Sequence, residues 1–181
     1  MVYVAYESYE HGHSEIYVRV GETLKDGTKW KQTKRITNSS KDSVNPDIAV
    51  FGDDLVIACE TNCDCGESIK LYKVSLGSFG YEDVIEYTVV EETTFGAKFP
   101  CLAVTENYLW LSCNKGNELN DNVQVSVFKT DLVGSDPEFN EHIFELDGIS
   151  EKTCLYAFSD KSDKKCLALA WSWPRVVAIK P

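Results

Sequence analysis

Short apolar runs alternate with polar, turn-forming stretches along the whole chain, and one arrangement of them keeps coming back. Asn45-Pro46-Asp47-Ile48-Ala49-Val50 leads into Leu55-Val56-Ile57-Ala58-Cys59-Glu60. Phe99-Pro100-Cys101-Leu102-Ala103-Val104 leads into Leu109-Trp110-Leu111-Ser112-Cys113-Asn114. Thr153-Cys154-Leu155-Tyr156-Ala157-Phe158 leads into Leu167-Ala168-Leu169-Ala170-Trp171-Ser172. The chain opens inside the same arrangement, at Val2-Tyr3-Val4-Ala5-Tyr6-Glu7. Short runs with period-two alternation, bounded by turn residues, predict strands. No stretch predicts a helix.

The repeat has a step of about fifty residues, which predicts the blades of a β-propeller. With strands lettered A to D from the axis outward, the first blade lacks A. Its B, C and D strands are expected at Val2–Glu7, Glu15–Val20 and Lys31–Thr37. The second blade is expected at Pro46–Val50, Leu55–Glu60, Ser68–Val74 and Val84–Val90. The third is expected at Pro100–Val104, Tyr108–Asn114, Asn122–Lys129 and Glu141–Leu146. A truncated fourth has Thr153–Phe158, Cys166–Ser172 and Arg175–Lys180. The expected fold is therefore all-β: about three and a half four-stranded antiparallel blades, spanning 2–37, 46–90, 100–146 and 153–181 of a single domain, 1–181.

Particular residues sharpen that picture. The A strands are almost continuously apolar, as expected of strands covered on both faces. Pro46 and Pro100 are expected at strand entries, where no ladder hydrogen bond is lost. Arg19, Lys73, Lys129 and Lys180 share one register of the C strands, which points to solubility and edge protection. Three and a half blades do not close a ring. The open ends therefore predict self-association with a second copy, or another propeller segment from a longer chain.

Ser43-Val44-Asn45-Pro46-Asp47-Ile48-Ala49-Val50 with Val56-Ile57-Ala58-Cys59-Glu60, and the opening Val2–Glu7 followed by Ile16-Tyr17-Val18-Arg19, resemble the sialidase-type propellers with bacterial neuraminidase repeats. Thr23-Leu24-Lys25-Asp26-Gly27-Thr28-Lys29-Trp30 resembles their Asp-box, one residue short. In the later blades the box has decayed to Ser75-Leu76-Gly77-Ser78-Phe79-Gly80 and Asp131-Leu132-Val133-Gly134-Ser135. The resemblance implies a structural role in the C–D turn for Asp26, Gly27 and Trp30. It also implies an extracellular or cell-surface location, although Met1 is followed at once by a strand pattern and no signal peptide is visible. On that reading the protein stays where it is made, lacks its leader, or is a piece of a longer chain.

A sialidase site of the family's kind requires three arginines gripping a carboxylate, a Tyr–Glu nucleophile pair and an Asp acid/base. The chain has only Arg19, Arg35 and Arg175, the first two in strand positions away from a central site, and no Phe-Arg-Ile-Pro motif. Catalytic residues are accordingly not expected. Glu7 and Glu60 share the register at the end of strand B, with Asn114 and Ser172 as equivalents. That ring of polar strand ends is the expected ligand face, with Asp47, Glu10, Glu15, Asp64 and Glu67 nearby. Two carboxylates across a pocket also suit glycoside hydrolysis, and the bland alternative is solvated loop acids. In Trp171-Ser172-Trp173-Pro174, Trp171 falls in a core register, whereas Trp173 is the contact candidate.

His11 and His13, flanked by glutamates, are weak metal candidates. Asn117-Glu118-Leu119-Asn120-Asp121-Asn122 offers oxygen ligands without a full calcium-loop signature. No cofactor is expected. Of the 7 cysteines, Cys59 and Cys113 share one register, Cys101 and Cys154 another, and Cys63-Asp64-Cys65 lies in a loop. Reduced core thiols are the plain reading. Disulfides between equivalent positions of packed sheets face a spacing of about 10 Å. With 18 basic against 29 acidic residues and a net charge of −11, nucleic acid and anionic membranes are disfavoured partners. No apolar run is long enough for a membrane span. The sequence thus points to a non-catalytic propeller module that binds protein or glycan or completes an assembly. The alternatives are part of a sialidase-type glycoside hydrolase and a purely structural ring subunit.

Overall fold

A computed structural model describes residues 1–10, 12–63, 66–77, 84–93, 96–115, 124–132, 137–145, 153–171 and 176–179. The fold is all-β. Four antiparallel sheets follow one another along the chain. The first holds β1 (Val2–Glu10), β2 (His13–Leu24) and β3 (Gly27–Arg35). The second holds β4 (Ser43–Phe51), β5 (Asp54–Cys63), β6 (Gly66–Ser75) and β7 (Ile85–Thr93). The third holds β8 (Ala97–Val104), β9 (Leu109–Lys115), β10 (Gln124–Thr130) and β11 (Asn140–Glu145). The fourth holds β12 (Thr153–Ser159), β13 (Lys165–Trp171) and β14 (Val176–Ile179). Each sheet is a meander in which sequence neighbours pair. Among the described residues no helix is long and apolar enough to cross a membrane.

The sheets stack through three apolar cores, one in each gap, because successive side chains of a strand point to opposite faces. Ile16 and Val18 meet Leu55, Ile57, Cys59 and Tyr72 between the first and second sheets. Val56, Ala58, Ile69 and Leu71 meet Leu109, Leu111, Cys113 and Phe128 between the second and third. Ala103, Trp110, Val125 and Val127 meet Leu155, Leu167 and Leu169 between the third and fourth. The unbroken run Leu55–Cys59 is therefore buried on both sides. Of the two apolar first strands, β4 is only half-buried, whereas β8 is covered on both faces, with Leu102 in one core and Ala103 in the next. Burying one Leu or Ile side chain contributes roughly 1.5–3 kcal/mol, so each gap is a sizeable source of stability.

The first strands of the second, third and fourth sheets lie side by side, β4 against β8 and β8 against β12, and β1 packs against β4. Among the described residues β12 does not return to β1 in any extensive contact, and no closed barrel forms. The outward faces of the end sheets carry exposed apolar groups, Val4 on one and Tyr156 and Phe158 on the other.

Both prolines of the repeat sit inside strands, not at their entries. β4 and β8 extend upstream of them, and the register shifts between Val44 and Asp47 and between Lys98 and Cys101. A bulge leaves one residue out of the ladder, so the missing proline N–H costs nothing there. The residues before the prolines, Asn45 and Phe99, take left-handed backbones with φ of 52° and 55°. Asn tolerates this conformation well; for Phe it is a strained outlier.

The Asp-box-like segment also differs from the expected broad turn. Leu24 pairs directly with Gly27, so Lys25 and Asp26 alone form the turn and Thr28–Trp30 already belong to β3. Gly27 has a φ of 139°, which an L side chain rarely adopts. The Trp30 indole lies over Gly21, where a Cβ would come within 2.9 Å of the ring, and the Arg19 guanidinium stacks on it at 4.8 Å.

Candidate functional site

The two bulges open a cleft along the aligned first strands. It has a volume of about 550 Å³ and draws residues from all four sheets, among them Glu7, Asn45, Asp47, Phe99, Cys101 and Cys154. Pro46, Pro100, Thr153 and Ala170 complete its walls. Other clefts lie between Val104 and Phe158 at the far end of the third and fourth sheets, and beside Arg35 and Glu86 at the periphery. The first-strand cleft stands out because repeat positions converge on it.

Those positions form a relay of bonds, each from one sheet to the next. The Asn45 N–H donates to Glu7 Oε1 at 2.8 Å. The Phe99 N–H donates to Glu60 Oε1 at 2.6 Å. The Thr153 hydroxyl donates to Asn114 Oδ1 at 3.0 Å. In each case the end of a second-position strand in the repeat receives a donor from the following sheet. A parallel series runs one step along: the Leu102 N–H donates to Asp47 Oδ2 at 2.6 Å, and the Leu155 N–H donates to Cys101 Sγ at 3.1 Å. The left-handed backbones of Asn45 and Phe99 explain the first series. A bulge turns an N–H out of its own ladder, and the neighbouring sheet supplies the acceptor.

Of the residues the sequence assigned to a ligand face, Glu7 lines the cleft. Glu60 and Asn114 are buried beneath it as inter-sheet acceptors. Burial raises the Glu60 pKa above the ordinary carboxylate value; the Phe99 N–H and the Asn45 side-chain amide, the latter at 2.8 Å, oppose the rise. Nearby Glu67 adds to it, and Lys98 subtracts. Trp173 lies outside the described residues, as do His11, Asp64, Arg175 and the acidic loop 117–122. Ser172 and Lys180 lie outside them as well.

His13 and Glu15 belong to a separate cluster on the first sheet. The fully buried Glu15 carboxylate receives His13 Nε2 at 2.8 Å, Arg35 Nη2 at 2.7 Å, the Ser39 N–H at 3.0 Å and the Thr37 hydroxyl. Burial alone would raise its pKa; the bonds from Thr37, Arg35, His13 and Ser39 outweigh burial and bring the pKa below the ordinary value. Arg35 also donates from Nε to the Thr37 carbonyl at 2.8 Å. The cluster fastens the segment that leaves β3 and enters the second sheet. It makes Glu15 a structural anion. Among the described residues no group of three or more His, Cys, Asp or Glu could hold a metal ion.

The remaining cations of the repeat are similarly occupied. Lys129 Nζ lies 3.7 Å from the Tyr108 ring centroid and 5.2 Å from that of Trp110. Lys73 lies 3.8 Å from Asp54. Cys59, Cys101, Cys113, Cys154 and Cys166 are free thiols. Cys59 and Cys113 are buried in the cores, which pushes both thiols up to about 12. Cys101 and Cys154, from neighbouring sheets, meet with their sulfurs 3.7 Å apart. The general spacing of packed sheets does not hold at that point, because the first strands converge there.

Sequence reasoning passed over Asn45, Phe99 and Thr153. The signal was present in the repeat itself: a residue before a proline, at the same place in two repeats, marks a bulge when the strand continues upstream. Comparison with protein-family models, with curated proteins and with solved structures finds no match.

Proposed function

We propose that this chain is a propeller-type binding module, resembling the sialidase-like propellers, that holds a neutral glycan in its first-strand cleft without hydrolysing it. The observation that carries this reading is the cleft, to which all four sheets contribute and which sets the Glu7 and Asp47 carboxylates beside the apolar surfaces of Pro46, Phe99 and Pro100. Carboxylates accept sugar hydroxyls, and flat apolar groups pack against sugar faces. The meander order, the stacking through three cores and the side-by-side first strands support a propeller-like arrangement. Against a sialidase, Arg19 stacks on Trp30 and Arg35 is bound to Glu15, both on the first sheet and outside the cleft lining. An anionic sugar would meet Glu7 and Asp47 without a described arginine to offset them.

Binding to a panel of neutral and sialylated glycans tests the proposal, with Glu7→Gln as the control that keeps an acceptor for the Asn45 N–H. Neutral glycans are expected to bind, and the variant to bind several-fold more weakly. Release of a chromophore from a sialoside would favour the hydrolase instead. Absence of binding across the panel would remove the glycan reading.

A second reading, assembly with another copy, is favoured by the uncovered face of the fourth sheet. Tyr156 there is 68% exposed. It occupies the repeat position of Ala103, which packs into a core.

A further inference from the structure

We propose that Cys101 and Cys154 form a dithiol site that reacts with low-molecular-weight disulfides and closes to an intramolecular disulfide, clamping the third sheet to the fourth at the cleft. Three observations carry it. The two sulfurs already lie 3.7 Å apart although the residues belong to different sheets. Both residues line the cleft, and Cys154 is exposed, so a small reagent can reach it. Cys101 is held in place: its sulfur receives the Leu155 N–H at 3.1 Å and faces the Leu155 carbonyl at 3.7 Å. The sulfurs must close from 3.7 Å to a bond of about 2.05 Å.

The position of Cys101 in the repeat strengthens the case. Its equivalent in the preceding sheet is Asp47, whose carboxylate receives the Leu102 N–H at 2.6 Å. Cys101 thus sits where the fold places an acceptor for a backbone N–H. A thiolate forming there during exchange meets a donor already aimed at it. Burial nevertheless holds the resting Cys101 thiol up at about 12. The accessible Cys154 is therefore the attacking group, and Cys101 resolves.

The chemistry balances with glutathione disulfide as oxidant. The Cys154 thiolate attacks one sulfur of the reagent, its S–S bond breaks, and one glutathione leaves as the thiolate and takes up a proton. A mixed disulfide remains on Cys154. The Cys101 sulfur, losing its proton, attacks the Cys154 sulfur and expels the second glutathione. The protein gives up two electrons and two protons, and the reagent receives both.

The test exposes the reduced, folded chain to glutathione disulfide, then counts thiols and maps peptides without reduction. The expected result is a loss of two of the 7 thiols, with tandem mass spectrometry placing one bond between Cys101 and Cys154. The Cys101→Ser variant is expected to stop at a stable glutathione adduct on Cys154. A lasting adduct on Cys154 in the unsubstituted chain would overturn the proposal. So would full retention of thiols, or a bond joining a different pair. Because the decisive measurement uses the unsubstituted protein, a poorly folding variant does not obscure it.

Discussion

The Glu60 carboxylate and the Phe99 backbone N–H face each other at 2.6 Å across the gap between the second and third sheets. Phe99 can present that N–H only because its backbone is left-handed, with φ of 55°. The bond and the strain are thus two sides of one device. Glu60 supplies the acceptor that a bulged strand needs, and the bulge in turn shapes the wall of the cleft.

Glu60→Ala removes the acceptor that the Phe99 N–H and the Asn45 side-chain amide share in a part-buried place. A loss of about 1–3 kcal/mol is expected in denaturant unfolding. Glu60→Gln keeps an acceptor and avoids burying a charge, so its loss should be much smaller.

The same pair of proteins reports on pH. Burial raises the folded-state pKa of Glu60 above the ordinary carboxylate value. Its contribution is therefore fully present below the unfolded pKa and is lost as pH rises through the folded one. The stability of Glu60→Gln relative to the parent should improve as pH is raised from about 4.5 toward neutrality. A pH-independent difference between the two would contradict the burial argument.

Glu15 should behave in the opposite sense. Its folded-state pKa is lowered, so the stability it supplies is present above its unfolded pKa and is lost as pH falls through the folded value. Arg35→Leu should cost about 1–3 kcal/mol at neutral pH, an amount reduced because water reaches part of the guanidinium. Urea melts of both proteins at neutral pH and in acid should show the gap narrowing in acid.

Phe99→Asn restores the residue type found at the equivalent bulge, Asn45, and relieves a left-handed Phe. Lost packing and relieved strain should nearly cancel, leaving stability within about 1 kcal/mol of the parent. Phe99→Val puts a β-branched side chain on the same backbone and should cost more than Phe99→Asn. Equal thermal midpoints for the two variants would argue against the left-handed assignment.

The assembly reading makes a simple forecast. If a second copy covers the faces bearing Val4 and Tyr156, light scattering on a sizing column should give twice the 20.4 kDa of one chain. Tyr156→Lys, which sets a charge on the face, should shift the mass toward one chain. A stable single-chain mass for the parent would remove this reading.

The fourteen strands among the described residues were legible from alternation and turn residues, as was their grouping into sheets of three, four, four and three. Strand period is a local property: it follows from the pleat and from which face of each residue meets the core. The glutamates at the strand ends were legible for the same reason, as repeat positions. What the tertiary structure alone decided is how neighbouring sheets engage. The burial of Glu60 beneath the cleft and the meeting of Cys101 with Cys154 depend on offsets between sheets. Those offsets are set jointly by three packed cores, and side-chain packing between segments some fifty residues apart leaves no local mark on either one.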